Sequence, residues 1–141
     1  MHADFDLERF IEAQSPVYEQ VMGELQAGRK RSHWMWYVFP QLDGLGHSAM
    51  AERYGLAGID EARAYLAHPV LGPRLQACVT ALVQHSDKSA REILGSPDDL
   101  KLRSCLTLFA QAAPDNPLFQ LALVQFYEGE PDLRTLAMLT G

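Results

Sequence analysis

The sequence predicts an all-α fold, a single compact domain of about eight to ten short helices over residues 1–141. Three observations carry this. Apolar residues recur with a helical period along most of the chain, and Leu75, Cys78, Val79, Leu82 and Val83 fit the i, i+3, i+4, i+7, i+8 template without a miss. Caps, prolines and glycines punctuate these windows at short intervals. No segment alternates apolar and polar residues as a half-buried strand does.

Each element has its own signal. Asp4 and Asp6 give an acidic start to a helix with Leu7, Phe10 and Ile11 on one face. Ser15-Pro16 reads as a cap with proline at the first helical position, leading into Val17, Val21 and Leu25, and Gly28 closes that helix. The apolar and aromatic run from His33 to Phe39 has no partner strand, so it predicts a short helix that Pro40 ends. Gly44 and Gly46 make a flexible loop. Ser48 caps a helix through Tyr54 that Gly55 stops, and Asp60 and Glu61 open another that runs to His68. His68 reads as an imidazole on the last carbonyls, with breaks at Pro69 and at Gly72-Pro73. After the long helix, Ser89 to Glu92 forms a capping box, and Gly95 ends that short helix. Ser96-Pro97-Asp98-Asp99 starts a helix that buries Leu102, Cys105, Leu106 and Phe109. Asn116-Pro117 starts the next, with Gly129 at its end, and Asp132 opens the last.

Composition narrows the function. With 48% hydrophobic and 21% charged residues the chain is globular in type, and its net charge of −6 argues against general nucleic-acid binding. The opening MHADFDLERF has acids where a signal peptide needs bases, and no apolar run is long enough for a bilayer, so a cytoplasmic, non-membrane protein is expected. Cys78 and Cys105 sit in apolar helical patterns and read as buried thiols. His2 and His85 read as surface residues. The histidines do not pair at ligand spacing, so neither a metal nor any other cofactor is expected. No nucleophile elbow, phosphate loop or dinucleotide fingerprint is present.

One stretch stands apart. Gly28 to Ser48, GRKRSHWMWYVFPQLDGLGHS, holds both tryptophans, His33, His47 and the basic triplet Arg29-Lys30-Arg31. Lys30, His33, Trp34, Trp36, Gln41 and Ser48 are candidates for a pocket wall, where a cation holds an anion and an indole offers a stacking face. Alternatively, the tryptophans are core anchors and the triplet a solvated helix end. Core packing alone leaves His33, Gln41 and two indole N–H groups in need of partners. The second wall is expected from Asp98, Lys101 and Ser104, which share a helical face, with Arg103 nearby but off it. Arg9 and Gln14 are further ligand-binding candidates. An exposed ion pair at a helix start accounts equally well for Asp98 and Lys101.

The string Ser32 to Gln41 with Gly44-Leu45-Gly46 and Ser48 resembles the signature of a bacterial family known only as a domain of unknown function, number eighteen-ten. Leu7, Arg9, Phe10, Ala13 and Gln14 match its opening. Ala64-Tyr65-Leu66, His68-Pro69, Leu71-Gly72, Arg74-Leu75, Gly95, Asp98, Lys101-Leu102, Ser104, Thr107-Leu108-Phe109 and Tyr127-Glu128-Gly129 match its remainder. The resemblance implies an all-helical single domain and no established activity. In layout the chain is also similar to small helical domains that process ADP-ribose and riboflavin-precursor N-glycosides.

Two functions follow as expectations. The first is a pocket for a small anionic, planar-ring ligand such as a nucleotide or ADP-ribose, with hydrolytic or N-glycosidic chemistry in which Asp98 and His33 are catalytic. The second is a non-enzymatic interaction module that presents Trp36, Tyr37 and Phe39 to a partner protein. The oligomeric state is open, a homodimer included.

Overall fold

The caps and breaks of the sequence produce ten helices among residues 5–140, which are the residues that the computed structural model describes. They are α1 (Glu8–Gln14), α2 (Tyr18–Ala27), α3 (Met35–Val38), α4 (Ala49–Tyr54), α5 (Ile59–Ala67), α6 (Leu71–Val83), α7 (Ala90–Leu94), α8 (Asp98–Ala112), α9 (Pro117–Tyr127) and α10 (Leu133–Thr140). The fold is all-α. The expectations for Asp4 and His2 lie outside the described residues.

Several signals act as expected. Gly28 ends α2 with φ 75°, a left-handed conformation that costs glycine little. The Ser48 hydroxyl accepts from Ala51 N at 3.1 Å, Ser89 and Glu92 form the capping box, and Asn116 accepts from Leu118 N. Asp132 takes the Thr135 N–H and hydroxyl at the start of α10.

Others act differently. Ser15 and Pro16 lie in the turn between α1 and α2, and the Ser15 hydroxyl accepts from Arg74 instead of capping. The α8 helix begins at Asp98, after a cis Ser96–Pro97 bond and with no side-chain cap. Gly72 and Pro73 do not break the chain. Both lie in the first turn of α6, where the N–H that proline lacks has no intrahelical partner anyway. Glycine is needed at 72 because a β-carbon there would sit 2.1 Å from the Leu66 carbonyl oxygen. His68 faces forward: its Nδ1 accepts from Val70 N and Leu71 N at the start of α6, where the sequence suggested contact with the carbonyls behind it. His85 is not a plain surface residue, since its Nε2 meets the Leu25 carbonyl at 2.7 Å while Lys88 donates to the Gly28 carbonyl.

The hub is α8, which packs against α5, α7, α9 and α10. Leu102, Cys105, Leu106, Leu108 and Phe109 on α8 are fully buried. An aromatic chain ties the elements together. Phe10 meets Tyr65 edge-on at 5.1 Å, Tyr65 meets Phe109 at 5.6 Å, and Phe109 meets Phe119 at 5.7 Å. Opposite the start of α8, a two-residue bridge pins the loop that follows α3. Leu56 N donates to Gln41 O at 2.9 Å and Asp43 N to Leu56 O at 2.8 Å. That bridge holds Gln41, Leu45 and Gly46 over the outer face of α8.

Candidate functional site

The aromatic stretch is fixed from below by a residue the sequence did not single out. Glu24, on the last turns of α2, accepts from Arg31 N at 2.8 Å, Ser32 N at 3.1 Å, the Ser32 hydroxyl at 2.7 Å and Trp34 Nε1 at 2.9 Å. Burial pushes the carboxyl upward, but these hydrogen bonds outweigh it and hold Glu24 down at about 2, from an ordinary value of 4.5. Trp34 is therefore a core anchor with its polar atom satisfied, and it is 1% exposed.

Above this knot an ion cluster joins the stretch to α8. Lys30 Nζ lies 3.0 Å from Asp98 Oδ2, and Lys101 Nζ lies 3.6 Å from Asp98 Oδ1. Each ammonium also rests on an indole, Lys30 over Trp34 at 5.1 Å and Lys101 over Trp36 at 5.3 Å. Lys30, Trp34, Trp36, Asp98 and Lys101 thus meet in space. Both Asp98 oxygens face an ammonium. The hollow beside Trp36, lined also by Gln41, Tyr54 and Lys101, measures about 10 Å3, room for one water at most.

A larger groove opens on the far side of Lys101. It measures about 310 Å3 and is lined by Gln41 and Gly46 from the loop, Leu100, Lys101, Arg103 and Ser104 from α8, and Asp132 and Arg134 from the start of α10. Pro97, Leu100, Lys101 and Ser104 follow helical spacing and form its floor. Three basic residues, Lys101, Arg103 and Arg134, line it beside one carboxylate, Asp132, in a chain whose net charge is −6. Among the described residues Arg134 makes no ion pair or hydrogen bond, and Arg103 uses Nε and Nη2 but not Nη1. Ser104 donates to the Leu100 carbonyl at 3.3 Å, which leaves its lone pairs. Two hollows of about 540 and 750 Å3 lie elsewhere, against α6 and along α9, and no Lys, Arg, Asp or Glu lines either.

The remaining candidates stand apart from this groove. Arg9 donates to the carbonyls of Asp6, Arg53 and Gly55 and pairs with Glu61 at 3.1 Å. Gln14 is buried against the Tyr37 carbonyl and the Tyr65 hydroxyl, and its Oε1 has no partner among the described residues. Ser48 is a helix cap. His33 is exposed, and its side chain makes no hydrogen bond among the described residues, so it does not join Asp98. Arg29 and Arg31 are also exposed. Of the aromatics expected to meet a partner protein, Phe39 is 1% exposed and belongs to the core, while Trp36 and Tyr37 are half-buried. Cys78 and Cys105 are free and buried, and burial pushes the Cys78 thiol up to about 12. The described residues hold no cluster of three metal-ligating side chains, and no helix among them is long and apolar enough to cross a membrane.

Glu24, Asp132 and Arg134 went unrecognised in the sequence. Asp132 and Arg134 carried no signal beyond a helix start, and Glu24 only its place above a glycine cap.

Comparison with known proteins agrees with the fold. The family model described as "Protein of unknown function (DUF1810)" matches residues 4–139. The crystal structure of a conserved hypothetical protein from Mycobacterium tuberculosis is similar to the chain, with 53% identity, a TM-score of 0.96 and 99% of each chain covered. No curated protein matches.

Proposed function

We propose, for a chain that belongs to the DUF1810 family of unknown function, that it binds a small anionic ligand in the groove between the Gln41–Gly46 loop, α8 and α10. The observation that carries this reading is that Lys101, Arg103 and Arg134 line one hollow of an acidic protein, with neither Arg134 nor Arg103 Nη1 bonded to any partner among the described residues. Guanidinium forks and a hydroxyl suit the oxygens of a phosphate or carboxylate. A volume of about 310 Å3 falls at the lower end of ligand-pocket sizes and suits a nucleotide-sized or smaller molecule.

The cleavage chemistry expected of Asp98 finds less support, because Lys30 and Lys101 occupy both of its oxygens. If the bound ligand is hydrolysed, the carboxylate in reach is Asp132, whose Oδ2 is held by Thr135.

The test is thermal unfolding with inorganic phosphate, nucleotides, ADP-ribose and sugar phosphates. A ligand at a hundredfold its Kd stabilises by about 2.7 kcal/mol, which raises Tm by several degrees. The expected result is a rise for the wild type that shrinks in Arg134→Ala and Lys101→Ala. No rise with any of these anions, on a folded protein, sinks the reading.

A further inference from the structure

We infer that the ring of the ligand enters a hollow beside Tyr127 and not the tryptophan stretch, which makes the ligand a singly phosphorylated ring compound bearing hydroxyl or amino donors. This rests on the anion reading of the groove and goes beyond it by naming where the neutral end lies. Volume is the first ground. The hollow at Trp36 measures about 10 Å3, whereas the one lined by Arg103, Phe126, Tyr127, Glu128 and Glu130 measures about 250 Å3.

Continuity is the second. Arg103 lines both this hollow and the cationic groove. It is held in place there: its Nε donates to the Glu130 carbonyl at 2.9 Å, its Nη2 lies 3.4 Å from Glu130 Oε2, and its guanidinium carbon stands 5.8 Å from the Tyr127 ring centroid. Arg103 is thus the residue that the anion groove and the aromatic hollow share.

Chemistry is the third. Glu128 at φ 57° and Gly129 at φ 80° turn the chain after α9 in left-handed conformations, and Glu128 and Glu130 line the hollow. Carboxylates accept and do not donate, so this end selects hydroxyl or amino donors and repels a second anionic group. The two hollows that meet at Arg103 would then hold the two ends of one ligand, phosphate at Lys101, Arg103 and Arg134 and a neutral ring at Tyr127.

The experiment compares inorganic phosphate, AMP and fructose 1,6-bisphosphate by calorimetry on the wild-type protein, with NMR of the same titrations. AMP is expected to bind at least tenfold tighter than phosphate, and the bisphosphate no tighter than phosphate. AMP, but not phosphate, is expected to shift the Tyr127 ring and Gly129 amide signals, and neither is expected to shift the Trp36 indole N–H. Glu128→Ala, a change of an exposed side chain, is expected to reduce the AMP advantage and leave phosphate binding intact. If phosphate binds but AMP gains nothing or moves the Trp36 signal, the Tyr127 assignment is overturned while the groove stands. If phosphate itself does not bind, both fall.

Discussion

Two sets of cations in this protein teach opposite lessons. Arg29, Lys30 and Arg31 are contiguous in sequence, and they scatter in space. Arg29 and Arg31 point to solvent, while Lys30 turns inward onto Trp34 and Asp98. Lys101 and Arg103 on α8 and Arg134 on α10 come from two separate elements, and they line one groove. Consecutive residues must diverge around a loop, whereas helix packing brings distant ones together. A run of charge is therefore a weak sign of a site, and cations that packing gathers along one groove, one of them without a partner among the described residues, are a stronger one.

The largest expected effect tests the support beneath the first set. Glu24→Gln replaces a carboxylate that takes hydrogen bonds from Arg31, Ser32 and Trp34, and is expected to cost on the order of 3 kcal/mol in chemical denaturation. The same group gives a pH signature. Its folded pKa lies below its ordinary value, so its stabilisation is full above 4.5 and is lost as pH falls toward about 2. Stability of the wild type should decline through that window, and Glu24→Gln should lack that share of the decline.

Next comes Lys30→Met, which keeps the stem on Trp34 but leaves Asp98 with Lys101 alone. A loss of about 1 to 2 kcal/mol is expected, with anion binding retained. Arg134→Ala should do the reverse. It removes an exposed side chain that has no partner among the described residues, so Tm of the free protein should hold within about 1 °C while anion affinity falls about tenfold, a change of about 1.4 kcal/mol. The smallest effects belong to Arg29→Ala and Arg31→Ala, each within about 0.5 kcal/mol in stability and silent in anion titrations. A strong binding loss in either of these last two would erase the distinction between the two sets.

Much of the fold was legible because its signals are local. Ser48, Ser89, Asn116 and Asp132 cap helices through bonds that span two or three residues. The apolar face of α6 was readable for the same reason. Gly72-Pro73 misled because a break signal and a first-turn signal use the same residues, and only the approach of Leu66 to Gly72 tells them apart. At the site, helical spacing puts Asp98 and Lys101 on one face, whereas their meeting with the tryptophan stretch is a tertiary contact that spacing leaves open against an exposed ion pair. Arg134 was not foreseen, since nothing local distinguishes it from a solvated arginine. Arg9 and Gln14 stand out in the sequence only through the family resemblance of the opening segment. The first satisfies carbonyls of the α4 end, and the second crosses from α1 to α5. Both tie elements together.

The reach of Glu24 has a consequence for the order in which the chain folds. Its donors lie seven to ten residues away, so the knot beneath Trp34 closes a short loop at small entropic cost. The groove instead joins Gln41 to Arg134 and exists only after α10 has docked on α8. The tryptophan stretch should therefore be protected early in a hydrogen-exchange pulse, and the anion site should appear last, as a report that the whole chain is in place.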